Sequence, residues 1–208
     1  MKILVIGATG MVGSRVVAEA LSRGHAVIGA ARTPSKLAEA PGLEPLELEV
    51  TDGDAVARAA GAADLIVGAV SPRSTGDAAS EMAAIMAGYI AGAEGAGKRL
   101  IVVGGAGTLN LPDGTPVADV VPEAYAAEAR AMRAAYGLLE ASSADYTFLA
   151  PPGEIAPGTR SGQYRTSDRT YLADAEGNSR ISAEDFAVAL LDEAETPAHR
   201  GEIFTVAY

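Results

Sequence analysis

The chain has 208 residues, 49% of them hydrophobic and 21% charged, with no cysteine and a formal charge of −11 at pH 7. Its length suits one domain whose core needs no covalent staples, and its composition is that of a folded chain rather than a disordered one. The acidity argues against a nucleic acid or an anionic membrane as partner, since both are met by clustered Lys and Arg, and the missing cysteines exclude disulfides, thiolate metal sites and a cysteine nucleophile.

Strand-like residues begin at Ile3 with no charged segment ahead of them, so the start reads as structure and not as a secretion signal. No apolar run reaches the ~18 residues of a membrane span, and the expected location is cytoplasmic. Apolar, β-prone runs fall at 3–6, 26–30, 46–50, 65–70, 100–103 and 146–150. Ala-rich stretches with helical spacing lie between them, as at Val12, Val16, Val17, Ala20 and Leu21. Runs this continuous suit strands buried on both faces, and their alternation with helices implies a parallel sheet. Right-handed crossovers then give a doubly wound α/β sheet of the Rossmann type, with its ligand crevice at the carboxyl ends of the strands.

From about Pro151 the character changes. Pro, Gly, Arg and Tyr dominate up to Asp168, and a short strand-like "RTYLAD" follows. Ser182 and Asp185 resemble a capping box for a helix through Phe186, Leu190 and Leu191, and "IFTVAY" makes a last strand. We read 1–208 as a single domain in which 151–208 contributes a cap on the substrate side.

Gly7, Gly10 and Gly13 form G-x-x-G-x-x-G where the first strand ends and the first helix begins. In a dinucleotide site one such glycine makes the tight turn, another lets the backbone approach a pyrophosphate, and a third packs the helix on the strand. Free N–H groups at the helix start then hold the phosphates. The plainer alternative is a glycine turn with no ligand. An NAD site expects an acid about 20 residues on, bound to the ribose 2′-hydroxyl. This chain has "GAARTPSK" there, and its next acid is Glu39. Arg32 can pair with a 2′-phosphate, with Thr33, Ser35 and Lys36 as further donors, which favours NADPH over NADH. The alternative makes Arg32 and Lys36 solvated surface cations.

The stretches "GATGMVGSRVVAEALSRGHAVIGAARTPSKL", "DYTFLAPPGEIAPGTRSGQYR", "GNSRISAEDFAVALLDE" and "FTVAY" resemble the atypical short-chain dehydrogenase/reductases described as NADH-flavin reductases, which are similar to the biliverdin-IXβ reductase/flavin reductase group. The resemblance spans essentially the whole chain. It implies that the backbone around Thr9, Gly10, Met11 and Val12 faces the pyrophosphate and that Glu49 and Val50 stand at the adenine, where relatives have Asp and an aliphatic residue. It places Ala69, Val70 and Ser71 beside the ribose and nicotinamide. Asp52 suits a helix cap better than a ligand contact.

Short-chain dehydrogenases that reduce ketones use a Tyr-x-x-x-Lys pair, the Lys lowering the Tyr pKa for proton exchange. No Tyr-x-x-x-Lys occurs in this chain; the slots fall near Glu128 and Met132, and "GGAG" replaces the usual Ser. A flavin relaxes the requirement, because its ring accepts hydride and delocalises the charge, so positioning can stand in for a dedicated acid. Arg73, Thr108 and Tyr125 are the candidate substrate contacts, with Arg160, Tyr164 and Arg165 as weaker ones; no catalytic residue is assigned. His25 and His199 read as surface residues, and no metal site is expected. The partner is a small-molecule substrate, the assembly a monomer or homodimer. The leading function is an NADPH-dependent reductase acting on a flavin or a quinone-like acceptor, and the alternative is a non-catalytic NADP(H)-binding redox sensor.

Overall fold

The computed structural model describes residues 1–208. In chain order the elements are β1 (Lys2–Ile6), α1 (Met11–Ser22), β2 (Ala26–Ala31), β3 (Leu43–Glu47), α2 (Gly53–Ala60), β4 (Leu65–Gly68), α3 (Ala78–Ala96) and β5 (Arg99–Val103), followed by α4 (Glu123–Glu140), β6 (Tyr146–Ala150), β7 (Glu154–Ala156), β8 (Arg165–Ser167), β9 (Arg180–Ser182), α5 (Ala183–Glu195) and β10 (Glu202–Ala207). Eight strands form one sheet in the order β3-β2-β1-β4-β5-β6-β10-β8, and β7 and β9 form a small separate pair. Every pairing in the large sheet is parallel except β10 with β8. The chain moves outward from β1 through β2 to β3, then returns to β4 on the other side of β1. This reversal is the topological switch point at which a doubly wound sheet opens a crevice. No helix is long and apolar enough to cross a membrane.

The continuous apolar runs behave as strands covered on both faces. Along β1, Ile3 and Val5 pack into one buried cluster with Val67, Ile101, Phe186 and Leu190, while Leu4 and Ile6 pack into the other with Met82, Met86, Tyr89 and Phe148. The alternation of side chains along a strand feeds both clusters from one sequence. Helices α1 and α5 cover one face; α2, α3 and α4 pack together on the other.

Two expected strands are corrected. The run at 46–50 is paired only as β3 at Leu43–Glu47, the edge of the sheet. An edge position leaves one side of the strand to solvent, which accommodates Pro45 and the exposed Glu44 and Glu47; Leu48 and Val50 are buried in the connection beyond it. "RTYLAD" makes only an isolated bridge between Thr170 and Asn110. The Asp168 carboxylate accepts from the Thr170 N–H at 3.0 Å, a local turn that competes with a strand ladder. The antiparallel edge partner of β10 is instead β8, with Arg165 donating to the Tyr208 carbonyl.

The stretch 151–208 therefore divides. Strand β10 completes the sheet beside β6 and α5 packs on α1, while residues 151–155 and Tyr171 reach the cleft described below. The loop between β7 and β8 is strapped down away from that cleft. The fully buried Asp185 carboxylate accepts from the Ser161 N–H at 2.8 Å, the Gly162 N–H at 2.7 Å, the Ser161 hydroxyl at 2.6 Å and the Tyr208 hydroxyl at 2.7 Å. Arg160 donates to both oxygens of Glu19, and Tyr164 donates to Asp192. The three weaker substrate candidates are thus spent on the scaffold. Ser182 caps α5 as the sequence suggested, its hydroxyl accepting from the Asp185 N–H.

Burial alone would raise the Asp185 pKa, but the hydrogen bonds from Ser161, Gly162 and Tyr208 outweigh it and hold the group below its ordinary value. A carboxylate depressed in the folded state contributes stability above its unfolded pKa and loses it as pH falls through the folded value. Asp185→Asn should therefore cost about 3 kcal/mol at neutral pH, with faster hydrogen exchange in the 157–164 loop, and the gap from wild type should begin to narrow below about pH 4 and close only as the carboxylate protonates at its depressed folded value. Parallel thermal melts from about pH 2 to 7 check this, and a gap independent of pH would remove the charge from the account.

Candidate functional site

At the carboxyl ends of the strands lies one cleft of about 1130 Å³, running from the end of β2 past β1 and β4 to the end of β6. One end, where the sequence places a pyrophosphate, is built by the turn from β1 into α1. Gly7 has φ +89°, a conformation that favours glycine, and a Cβ on Gly13 would overlap the Gly7 carbonyl oxygen. The helix can sit on the turn only because residue 13 has no side chain. Gly10 differs, since a Cβ there would lie 3.2 Å from the Gly7 oxygen and 3.9 Å from the Ala69 oxygen, with no overlap of the backbone. The first helical hydrogen bond runs from the Ser14 N–H to the Gly10 carbonyl, and α1 has neither a capping side chain nor an acid in its first turn. The N–H groups of Met11, Val12 and Gly13 are left without helical acceptors, and the positive end of the helix is unopposed.

Arg32 follows β2 and lines the opposite lip of this end, its guanidinium donating to the Ser74 hydroxyl at 3.2 Å. Ser74 belongs to the loop between β4 and α3, which Glu81 holds in place. Both Glu81 oxygens accept from the Ser74 N–H, and one also takes the N–H and hydroxyl of Thr75. Burial raises the Glu81 pKa, but these bonds outweigh it and keep it below the usual carboxylate range. Thr33 and Lys36 lie beside Arg32 in sequence but outside the cleft lining, Lys36 in a short 3-10 turn. Glu49 and Val50 line the cleft, with Glu49 accepting from the N–H and hydroxyl of Thr51. Asp52 caps α2 by accepting from the Ala55 N–H.

Ala69, Val70 and Ser71 form the floor after β4. The fully buried Tyr89 hydroxyl accepts from the Val70 N–H at 3.0 Å, and burial raises its phenol well above the ordinary tyrosine value. Tyr89 is a fixed prop beneath the floor.

The far half is apolar: Leu111, Val117, Val120, Val121, Met132 and Ile155 contribute, with Pro151 and Pro152 from the end of β6. Tyr125 and Val120 stand at its mouth, 64% and 55% exposed. Arg73 reaches across from the β4–α3 loop to Glu128 on α4 at 3.1 Å. Thr108 is corrected: it is fully buried outside the lining, and its hydroxyl donates to the Gly105 carbonyl at 2.7 Å. Its turn is fixed by Arg133, which donates to the carbonyls of Gly107, Thr108 and Leu109 and to Asn110. Of the remaining expected residues, Gly7, Thr9, Gly10, Met11, Val12, Arg32, Ala69, Val70, Ser71, Arg73 and Tyr125 all line the cleft, and Gly13 supports it from behind.

Tyr171 is one of the lining residues that the sequence does not announce. It is anchored by its N–H on the Asn110 carbonyl at 2.8 Å, and its hydroxyl occupies the space that a Cβ on Gly153 would need. The only signal was a tyrosine in a presumed strand. His25 and His199 are remote from the cleft; each meets a carboxylate, Glu195 or Glu193, and His199 stacks on Phe204 with ring centres 4.0 Å apart. No group of His, Cys, Asp and Glu has metal-ligating geometry.

A glycine turn at the switch point, an uncapped helix start above it and a cleft that continues past the phosphate end define a nicotinamide-dinucleotide site on an atypical short-chain dehydrogenase/reductase scaffold. The chain belongs to the NAD(P)H-binding family, whose model matches residues 7–197. Solved relatives agree in fold over their whole length. A Burkholderia pseudomallei chain described as a candidate exported protein is 38% identical with TM-score 0.89, covering 100% of both chains. A candidate epimerase from Bacteroides thetaiotaomicron is 35% identical with TM-score 0.92, over 100% of this chain and 96% of that one. A candidate NADH-flavin reductase from Streptococcus pneumoniae is 25% identical with TM-score 0.89, over 100% and 99%.

The two neighbouring glycines should separate in experiment. Gly10→Val should leave a folded protein that no longer binds dinucleotide, because its side chain fills the phosphate space. Gly13→Val should destabilise the fold by roughly 3 kcal/mol through overlap with backbone. Thermal melts paired with NADPH fluorescence titrations check both, and a Gly10→Val variant that still binds would take the turn out of the phosphate site.

Proposed function

We propose that the protein is an NADPH-dependent reductase that passes hydride to a free flavin or to a similar flat, conjugated acceptor such as a quinone, without a Tyr-x-x-x-Lys proton relay. The observation that carries this reading is the character of the α4 wall. Glu128 and Met132 line the cleft, near the positions at which the resemblance puts the Tyr and Lys of a ketone-reducing relative, and Glu128 is already paired with Arg73. An apolar wall and a free-standing phenol suit ring stacking better than the activation of a single carbonyl. The relationship to the Streptococcus protein points the same way, whereas an epimerase chemistry like that named for the Bacteroides protein calls for the acid–base pair that this chain lacks.

When bound, NADPH supplies the hydride and its two electrons. The residues of the chain provide the rest. The N–H groups of Met11, Val12 and Gly13 hold the pyrophosphate, and Glu49 and Val50 flank the adenosine end. Arg32 leaves Ser74 to meet the 2′-phosphate, with Lys36 adding positive potential and Thr33 a neutral hydroxyl from outside the lining. Ala69, Val70 and Ser71 seat the nicotinamide side against the far half, where Tyr125 and Tyr171 present aromatic faces and Arg73 stands beside the acceptor. The proton that completes reduction of the acceptor comes from solvent at the open mouth. NADPH as reductant fits a cytoplasmic location, and fractionation of the producing cell tests it against the exported description of the Burkholderia protein.

Arg32→Ala should weaken NADPH binding by about 1–3 kcal/mol and leave NADH nearly unchanged. Equal losses for both would mean that Arg32 acts through adenine or through the fold.

Mixing the protein anaerobically with NADPH and a free flavin should bleach both chromophores together, and Tyr125→Phe should slow this by less than about tenfold, since no single side chain is the proton donor. Turnover of small ketones that collapses in Tyr125→Phe, with flavin inert, would replace this reading with a dehydrogenase of relocated catalytic groups. NADPH binding without turnover of any acceptor would favour a redox sensor.

A further inference from the structure

The two halves of the cleft differ in charge. Its lining cations are Arg32 and Arg73; its lining acids are Glu49, Glu81, Glu128 and Glu154. The cofactor half has two receptors for an anion, the uncapped start of α1 and the guanidinium of Arg32. The acceptor half has none of its own. Arg73, the cation nearest that wall, is held by Glu128 at 3.1 Å. The start of α4, which contributes Pro122 and Tyr125 to the same wall, carries Glu123 in its first turn, and that carboxylate opposes a second anion there. Behind all of this stands a chain with a net charge of −11. An anion can be held by such a protein only where a local receptor outweighs the background.

Resting on the reductase reading above, we propose that the acceptor is a flat conjugated ring without a phosphate, a quinone or the riboflavin form of the flavin in preference to FMN or FAD, and that Glu128 sets this preference by holding Arg73. A neutral ring can stack against the apolar half without disturbing the pair. A phosphorylated acceptor must either remain unpaired near Glu128 and Glu154 or draw Arg73 away and strand the Glu128 carboxylate beside the incoming charge. Either outcome penalises the phosphate. For a quinone, the hydride and one solvent proton give the hydroquinone and NADP⁺; for riboflavin they give the dihydroflavin and NADP⁺. Neither product gains a charge that the acceptor wall would have to hold.

The test compares riboflavin, FMN and menadione as acceptors in NADPH oxidation at low ionic strength. Riboflavin should exceed FMN in kcat/KM by about tenfold, with the gap shrinking as salt screens the acids. Menadione should be turned over as well. Glu128→Gln releases Arg73 and should close most of the riboflavin–FMN gap, whereas Arg73→Ala should widen it; thermal melts confirm that both variants are folded. FMN equal to or better than riboflavin in the wild type, or a ratio unmoved by Glu128→Gln, overturns the proposal. Should the wild type reduce no acceptor, the reductase reading fails, and flavin fluorescence titrations of the NADP⁺-loaded protein decide the charge selectivity alone. Tighter binding of riboflavin than of FMN then upholds it, and equal binding or no binding of riboflavin overturns it.

Discussion

The close approach of α1 to the turn that precedes it is the constraint on which the rest of the site depends. Because residue 13 is glycine, the first turn of the helix lies against the Gly7 carbonyl, and the helix starts at the switch point of the sheet rather than a turn further away. Nothing in the chain caps that start, so three N–H groups remain available in a place where backbone polar groups are normally satisfied. In a protein of net charge −11 this is a local reversal of sign produced by backbone alone. It costs no lysine or arginine, and it cannot be titrated away.

The connection between β4 and α3 ties that end of the cleft to its apolar end. Through Ser74 it reaches Arg32, through Arg73 it reaches Glu128 on α4, and Glu81 clamps its backbone between them. The two cations of the cleft are thereby parked on opposite lips. Arg32 rests on a neutral hydroxyl and can exchange it for a ligand at little cost, whereas Arg73 can leave only by stranding the Glu128 carboxylate in the cleft. The Glu81 clamp keeps the connection in place in either case.

Much of this was legible from residues 1–36, where strand, glycine spacing and the absence of an acid after β2 each have a direct physical meaning. The six strands that alternate between two buried clusters were legible too, because continuous aliphatic runs have few other uses. The edge strand was placed three residues late. Its apolar residues 46, 48 and 50 look like a core run, yet Leu48 and Val50 are buried in a connection and the ladder uses Leu43–Glu47. Residues 151–182 were the least readable. Their order comes from side chains far apart in sequence, Asp185 gathering Ser161 and Gly162, and Glu19 gathering Arg160, and no local pattern announces a carboxylate that will fold a loop 24 residues away. Thr108 failed for a related reason: position after β5 predicts nearness to the crevice, but the hydroxyl turns back to Gly105 and closes its own turn.

Helix α4 is the part of the scaffold on which the proposed reaction differs from ketone reduction. In a ketone reductase the wall above the nicotinamide must carry a phenol and a cation that tunes it, and both must remain free to act on substrate. Here the corresponding wall offers a thioether and a carboxylate, and the carboxylate is occupied by a guanidinium from across the cleft. The helix is still anchored by Tyr136 and Leu139 in the core, and Arg133 still reaches back to brace the turn after β5. In the reductase proposed above, geometry is kept where it would position rings and given up where it would move protons. A wall of this composition can serve an acceptor that stabilises its own added charge, and it leaves an isolated carbonyl without the proton it needs.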